Sequence, residues 1–396
     1  MLIGIEGICA RASLSVVVAA LVLAGSAQAS RLEVIDLPSA GAVDPATANF
    51  NDGGELKATV LLPDGYAPRR KYPLLLLLHG AGDTYKSWAD PARGDIVKTA
   101  AGLRAIVVMP DAATGFYTNW FNGGQFGVPA WEDYFLDEVL PAIRARYRIR
   151  PQRRYHAVAG LSMGGLGATF LGGRLPGYFG SVSPFSGFVD HQRPEVYGGG
   201  LQAVSGVDYQ TIFGPPDGDY ATGHNPTRMP ENLAHARLFV TSGDGTVDPA
   251  LGSSSPQAAA GGGAVEVEIR QQNDAFVAAL RAANIPVDSR PHAGIHDWPY
   301  WRSDLKAAIA HDLFAPVAQR PATWANSTVA RHGELFGVRY RFASPAAGLV
   351  RFTRTGARLQ VEGPAVPVAL TTPGGCRLNG TLPLDVTLPS RRCARL

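Results

Sequence analysis

The fold is decided at residues 155–165, which read YHAVAGLSMGG. The run Tyr155–Ala159 is short and mainly apolar, which is typical of a strand buried on both faces of a parallel sheet. It leads directly into a G-x-S-x-G motif centred on Ser162, and a helix of small residues, Gly165–Gly173, is predicted after it. Both glycines are needed where a strand turns sharply into a helix and exposes a serine hydroxyl at the sheet's carboxyl edge. The sequence therefore predicts an α/β-hydrolase fold with Ser162 as nucleophile; the alternative is a glycine-rich helix that Ser162 merely caps.

Further strands and helices alternate on both sides of this motif, as expected for an open α/β sheet. The predicted strands are Glu55–Leu62, Leu74–Leu78, Ala105–Met109, Leu238–Thr241 and Ile285–Ser289. The predicted amphipathic helices are Trp131–Tyr147, Asn273–Ala283 and Tyr300–Leu313. Pro249–Ala264 is rich in Ala, Gly, Ser and Pro and is predicted to be a loop.

The pattern changes after about Pro316, where short strand-like runs are divided by Gly and Pro without a helix signal. We predict a catalytic α/β domain over residues 30–316 and a small all-β, sandwich-like module over residues 317–396. Cys376 and Cys393 lie in this module and are expected to form one disulfide.

Residues 1–29 have the features of a signal peptide. Arg11 precedes the apolar run Leu14–Leu23, and Ala27-Gln28-Ala29 supplies a small-x-small cleavage pattern. The run is shorter than the roughly 20 apolar residues that span a bilayer, so an uncleaved anchor is the less favoured reading. We expect a secreted or cell-envelope protein without a stable membrane span.

Composition excludes some classes of function. The chain is 46% hydrophobic and 17% charged, which favours a folded protein over a disordered one. Its formal net charge is only +3, and its positive residues form no long block in the sequence. Nucleic acid is therefore not an expected partner.

The remaining catalytic groups are expected at the ends of the other strands. The oxyanion hole should combine the backbone N–H of Met163 with an N–H from the loop after Leu74–Leu78, most simply that of Ala81. His296 lies between the last predicted strand and the last predicted helix, where the general base of this fold is expected. His292 lies four residues earlier, but Pro291 and Gly294 disfavour the helix that a two-histidine metal site would need.

The acid that orients the histidine should lie between the serine and the histidine in the chain. Asp244 and Asp248 follow the strand Leu238–Thr241, and Glu266 and Glu268 lie further on, before an amphipathic helix. Sequence order does not choose between these pairs.

Several segments resemble the secreted esterases related to the mycobacterial mycolyltransferases, within the esterase D-like hydrolases. The matching segments are Tyr72–Asp83, Val107–Asp111, Tyr117–Trp120, Gly160–Gly165, Phe185–Gly187 and Gly294–Trp301, within about residues 55–315. The resemblance implies that Glu266 is the acid, because aligning Asn273 and Phe276 brings the family's glutamate onto it. The family's first oxyanion loop begins with an aspartate and carries an arginine that contacts trehalose; His79 and Gly82 stand near these positions here, which disfavours mycolyl transfer to trehalose.

Together these features predict a serine esterase that acts on small-molecule or lipid esters through an acyl-enzyme, with no cofactor and no metal. One alternative is acyl transfer to a cell-envelope sugar, with a cell-envelope glycolipid as partner, and another is a non-catalytic surface-binding protein on a hydrolase scaffold. Five side chains are candidates for lining the cleft, and packing in the core is an equal alternative for each aromatic one: Tyr117, Asn119, Trp120, Trp298 and Trp301.

Overall fold

The computed structural model of the 396-residue chain describes residues 29–38, 41, 43, 56–122, 129–389 and 392–393. All but the last residue of the predicted signal peptide therefore lies outside the described residues. Within the described ranges, no helix combines the length and apolarity needed to cross a bilayer.

One large sheet of eight strands organises residues 31–291, in the order β1-β2-β4-β3-β5-β6-β7-β8. Neighbouring strands are parallel from β4 to β8, whereas β1 and β2 are antiparallel additions at one edge. The strands are Arg31–Asp36 (β1), Lys57–Leu62 (β2), Leu74–Leu78 (β3), Ile106–Pro110 (β4), His156–Leu161 (β5), Ser181–Phe185 (β6), Arg237–Ser242 (β7) and Asp288–Pro291 (β8). Strands β3 to β6 are buried along their whole length, which explains the continuous apolar runs of β3 and β4.

Helices cover both faces of this sheet, and a hydrophobic core lies on each face. The α-helices are Ile96–Thr99 (α1), Trp131–Asp133 (α2), Leu140–Arg146 (α3), Met163–Arg174 (α4), Leu201–Ser205 (α5), Tyr209–Phe213 (α6), Asp219–Gly223 (α7), Pro256–Ala282 (α8) and Trp298–Ala310 (α9). A π-helical segment, Tyr134–Val139, joins α2 to α3, and another, Val196–Gly200, precedes α5. Short 3₁₀ turns occupy Arg153–Tyr155, Pro226–Arg228 and Pro230–Leu233.

The prediction of a loop over Pro249–Ala264 is wrong, because α8 begins at Pro256 and runs for 27 residues. The Ser255 side chain caps this helix by accepting a hydrogen bond from the N–H of Ala258. Gly262 and Gly263 allow the helix to pack closely against neighbouring backbone and do not mark a loop. A β-carbon on Gly262 would lie 3.2 Å from the carbonyl oxygen of His296, and one on Gly263 would lie 2.7 Å from that of Gly245.

Other strand predictions differ in position. The last strand is β8, Asp288–Pro291, rather than Ile285–Ser289, because Ile285 closes the end of α8 by donating its N–H to the carbonyl of Leu280. Strand β8 is polar because it lies at the edge of the sheet and pairs with β7 alone. Strand β6 was not predicted, because its two serines and its proline interrupt the apolar pattern that is typical of a buried strand, although all five residues are buried.

The C-terminal region forms two four-stranded antiparallel sheets, with the orders β10-β11-β14-β15 and β16-β13-β12-β9. The strands are Thr323–Thr328 (β9), His332–Leu335 (β10), Val338–Phe342 (β11), Val350–Thr355 (β12), Arg358–Glu362 (β13), Pro367–Thr371 (β14), Arg377–Thr381 (β15) and Leu384–Thr387 (β16). Their inward residues share one core around Trp324, Phe342 and Phe352. Cys376 and Cys393 are bonded to each other, which confirms the predicted disulfide.

Candidate active site

Ser162 lies at the sharp turn between β5 and α4, at the carboxyl edge of the large sheet. Its φ of 53° is in the left-handed region, which is strained for a residue with a side chain. The flanking glycines make the turn sterically feasible. A β-carbon on Gly160 would lie 2.3 Å from the carbonyl oxygen of Gly164, and one on Gly165 would lie 2.4 Å from the Cα of Gly187. The strand and helix therefore approach closely enough to present the hydroxyl.

His296 approaches Ser162 from the loop between β8 and α9. Its Nε2 lies 2.9 Å from the Oγ of Ser162, a hydrogen-bonding distance for a general base and a nucleophile. The loop is held at its backbone, because the N–H of His296 donates to the carbonyl of Gly262 on α8. The imidazole is only 13% exposed, so its position is largely fixed by protein contacts.

Glu266 projects from α8 toward the far side of the same imidazole. Its Oε2 lies 2.6 Å from the Nδ1 of His296. Its Oε1 accepts hydrogen bonds from the Ser186 hydroxyl at 2.7 Å and from the N–H of Gly243 at 2.6 Å. The carboxylate is completely buried, yet both oxygens are bonded, which removes much of the cost of burying it. The structure thus brings Ser162, His296 and Glu266 into one hydrogen-bonded chain.

The other three acidic candidates lie elsewhere. Asp244 is exposed and accepts from the backbone and hydroxyl of Thr246, and this hydrogen bonding lowers its pKa. Asp248 accepts from the N–H of Ala250 within its own turn. Glu268 lies on α8 beside the pocket and is ion-paired with Arg193 at 2.9 Å. The structure gives none of the three a hydrogen bond to His296.

The two predicted oxyanion-hole residues, Ala81 and Met163, border the same pocket as Ser162 and His296. Met163 is the first residue of α4, so its N–H has no partner within the helix. Among the described residues, neither amide N–H donates to another protein group. Two free donors beside a serine hydroxyl could stabilise a negatively charged oxygen.

His79 shapes the first of these loops rather than facing the serine. Its Nδ1 lies 2.8 Å from the carbonyl oxygen of Gly80, and its Nε2 accepts from the N–H of Ala112 at 3.0 Å. Gly80 itself allows close packing, because a β-carbon there would lie 2.7 Å from the Cδ1 of Leu161.

A pocket of about 150 Å³ opens beside Ser162. Its walls are mainly apolar, and the apolar side chains that form them include Phe116, Phe188, Val196, Leu201 and Ile269. These residues come from the loops after β4 and β6, the π-helical segment before α5, the first residue of α5, and α8. A concave, apolar site with a few convergent polar groups is typical of a small-molecule binding site.

None of the five candidate cleft-lining side chains borders this pocket: Tyr117, Asn119, Trp120, Trp298 and Trp301. Tyr117 is fully buried and donates its hydroxyl to the carbonyl of His79. Trp301 packs edge-to-face against the His296 ring, with ring centroids 5.0 Å apart, so it helps to hold the histidine in position. The four aromatic side chains are therefore buried in the core, which was the alternative for them.

Two functional contacts were missed in the sequence, namely the Ser186 hydroxyl and the Gly243 amide that bind Glu266. Ser186 follows β6 and Gly243 follows β7, so both lie at the carboxyl edge of the sheet. The one signal in the sequence is the resemblance of the segment Phe185–Gly187 to the mycolyltransferase-related esterases.

One group outside the pocket could hold a metal ion. Asp133, Asp137 and His332 each place a ligand atom within 4.8 Å of the others. Partly exposed acidic groups of this kind are common without an ion, and nothing else in the described residues points to a ligand there.

The comparisons with known proteins agree on a family and a fold. Residues 51–311 match the family described as "Putative esterase". The esterase Rv1288 of Mycobacterium tuberculosis is 31% identical over 63% of this chain, which spans 55% of that protein's length. The diacylglycerol acyltransferase/mycolyltransferase Ag85B of Mycobacterium avium is 25% identical over 73% of this chain and 84% of its own.

Solved structures show the same architecture. MPT51 (FbpC1) of Mycobacterium tuberculosis has a TM-score of 0.55 at 24% identity, over 72% of this chain and 98% of its own. A ferulic acid esterase has a TM-score of 0.51 at 25% identity, and the match covers 72% of this chain and 98% of the esterase chain. The predicted α/β-hydrolase fold and the resemblance to mycolyltransferase-related esterases are both confirmed.

Proposed function

Since the chain belongs to the esterase family, we propose that it is a serine esterase that cleaves carboxylic esters through an acyl-enzyme intermediate on Ser162. The observation that carries this proposal is the hydrogen-bonded chain from Ser162 through His296 to Glu266, beside two free backbone N–H groups. A binding protein without catalysis would have no use for a strained serine next to a buried histidine–carboxylate pair.

The proposed reaction has two stages. The Oγ of Ser162 attacks the ester carbonyl while the Nε2 of His296 takes its proton, and the Ala81 and Met163 N–H groups stabilise the tetrahedral oxyanion. His296 then gives the proton to the departing alcohol. Water, activated by the same imidazole, attacks the acyl-enzyme and releases the acid. Glu266 holds the imidazole in the required tautomer and stabilises its positive charge.

The apolar pocket beside Ser162 is the proposed site for the acyl group. A pocket of about 150 Å³ favours a compact acyl group over a long lipid chain. The names of the relatives support small-molecule or lipid esters as the substrate class, since one is a ferulic acid esterase and another a diacylglycerol acyltransferase.

Hydrolysis of nitrophenyl esters of graded acyl length tests this function. We expect activity on short acyl groups, none with Ser162→Ala, and a decline as the chain lengthens. Leu201→Ala should enlarge the pocket and raise the kcat/KM ratio of longer over shorter acyl esters by roughly tenfold. No hydrolysis of any ester by a folded wild-type protein would refute the proposal. An unchanged ratio of kcat/KM for longer over shorter acyl esters would show that Leu201 does not contact the acyl group.

Acyl transfer is the second candidate, favoured by the similarity to Ag85B. In that case an alcohol, such as one on a cell-envelope glycolipid, would outcompete water for the acyl-enzyme. Adding sugar acceptors during turnover and measuring acylated sugar against free acid separates the two reactions.

We further propose that the protein is secreted or lies in the cell envelope. The signal-peptide pattern of residues 1–29 and the Cys376–Cys393 disulfide support this location. Mass analysis of the exported protein, with Ser30 as the expected first residue, tests it.

A further inference from the structure

The positive charge of this protein is concentrated in its C-terminal β-sandwich. Residues 317–396 contain eleven arginines, no lysine and only three carboxylates, which gives a formal charge of +8 against +3 for the whole chain. The preceding residues are therefore negative overall. A charge asymmetry of this size between two parts of a chain points to an anionic partner for the positive part.

Part of this charge is aligned on the outer face of the sheet β10-β11-β14-β15. Strand β11 alternates strictly, with Arg339 and Arg341 exposed between buried residues. The register places Arg339 beside Thr371 and Thr371 beside Arg377. Neighbours on one face of a sheet are about 5 Å apart, so two guanidinium groups flank a hydroxyl in a single row.

This face forms one wall of a groove, and helix α3 with the π-helical segment before it forms the other. The groove has a volume of about 690 Å³ and continues past Tyr178 into a second pocket of about 360 Å³. Six arginines border the two pockets: Arg144, Arg150, Arg320, Arg339, Arg341 and Arg377. Of the carboxylates in the part of the chain that the structure describes, only Asp137 and Glu334 border them.

Most of these arginines have no carboxylate beside them. Among the described residues, none of the six forms an ion pair with a carboxylate within 4 Å, and only Arg339 has one, Glu334, opposite it in the sheet register. The opposite sheet of the sandwich differs, because Arg358 is paired with Asp385 and Arg351 with Glu231 at 2.9 Å. Unpaired cations gathered in a groove keep their full attraction for an external anion.

We propose that this groove binds an anionic polysaccharide chain. Its guanidinium groups match carboxylate or sulfate groups in bidentate geometry, and neutral side chains between them, Thr371 and Asn379, can form hydrogen bonds with sugar hydroxyls.

Single-stranded nucleic acid fits the groove less well because it needs open aromatic rings for stacking. The Tyr178 ring is already stacked on His156 at 4.2 Å and covered by Arg144 at 5.6 Å. A membrane surface fits less well because none of the exposed large hydrophobic side chains lies in the groove.

The groove lies at the end of the large sheet opposite the candidate active site. His156, which begins β5, borders the second pocket, and Ser162 follows the end of the same strand, about 20 Å away. A polymer held in the groove would therefore leave the pocket beside Ser162 open. The groove would act as an anchor, independent of the proposed ester chemistry.

Binding of the full chain to alginate, a polyuronate, tests the proposal, with uncharged dextran as the polymer control. The groove variant is Arg339→Gln/Arg377→Gln. The matched control, Arg354→Gln/Arg358→Gln, removes the same two charges from the opposite sheet of the same module. We expect alginate but not dextran to bind, with an affinity that falls as salt increases. The groove variant should weaken binding at least tenfold and the control less than twofold, with nitrophenyl-ester hydrolysis unchanged in both.

Equal losses in the two variants would overturn the proposal, because they would show attraction to net charge rather than to the groove. Absence of alginate binding at low salt would overturn it as well. Single-stranded DNA or phosphatidylglycerol vesicles that bind more tightly than alginate, and lose binding in the groove variant, would replace the polysaccharide as partner. If the double variant fails to fold, Arg341→Gln is measured in its place, against Arg354→Gln.

Discussion

Two histidine–carboxylate pairs lie within one short stretch of chain, and they differ in what surrounds the second ring nitrogen. His296 has Glu266 at one nitrogen and the Ser162 hydroxyl at the other. His292, four residues earlier, has Asp304 at one nitrogen, 3.0 Å away, and the carbonyl oxygen of Ala293 at the other.

This difference determines whether each histidine can accept a proton. An imidazole that must take a proton needs one nitrogen free to accept, as His296 has toward Ser162. His292 faces acceptors at both nitrogens, so it is held as a cation with both N–H groups donating. Burial lowers the pKa of His292, but the hydrogen bond and charge of Asp304 outweigh it and raise that pKa to about 9. The same chemical pair thus fits the proposed proton transfer in one setting and loop anchoring in the other.

The largest expected effect comes from changing the acid of the first pair. Glu266→Gln should lower kcat by about 10⁴-fold, because the imidazole loses its orienting and charge-stabilising partner. Glu268→Gln, two residues along the same helix, is the matched control and should change kcat less than tenfold. Steady-state kinetics on a nitrophenyl ester measures both. Near-normal activity of Glu266→Gln together with loss in Asp248→Asn would assign the role to the other acid.

The second pair should affect stability more than turnover. His292→Phe keeps an aromatic ring near Tyr300 but leaves the buried Asp304 without its cation, so we expect a loss of about 1–3 kcal/mol at pH 7. Because the folded pKa is raised from 6.5 to about 9, this contribution is complete below about pH 6.5 and disappears as the pH rises through 9.

Thermal unfolding of wild type and His292→Phe from pH 6 to 10 measures this window. The two melting temperatures should converge at the alkaline end, while kcat changes less than tenfold. His311→Gln, which removes a more exposed histidine–aspartate pair at the other end of α9, serves as the control. A kcat loss as large as that of Glu266→Gln would mean that both pairs belong to the catalytic machinery.

The smallest effect on activity should come from the distant β-sandwich. Replacing Cys376 and Cys393 by serine opens a bridge between residues 17 apart, which the chain-entropy estimate values at about 3 kcal/mol of unfolding free energy. Denaturant unfolding should show this loss while ester hydrolysis stays unchanged. A variant that folds but loses activity would show that the sandwich shapes the pocket.

The two pairs also show what the sequence could predict. Ser162 and His296 were predictable because each lies in a segment with its own local pattern, one a strand–turn–helix and the other a loop between the last strand and helix. The position of Glu266 was not, because it depends on α8 beginning at Pro256, within a glycine-rich segment that has the composition of a loop. Only family resemblance pointed to this residue. The pocket walls had no signal either, since Phe188, Val196 and Ile269 meet through tertiary packing alone.

Covalent labelling with a fluorophosphonate probe, followed by peptide mapping of the labelled site, tests most directly whether Ser162 is the nucleophile. We expect one label, on Ser162 in the peptide that contains GLSMGG, and no label on folded Ser162→Ala. A label on another serine, or one that persists in Ser162→Ala, would contradict the proposed role of Ser162.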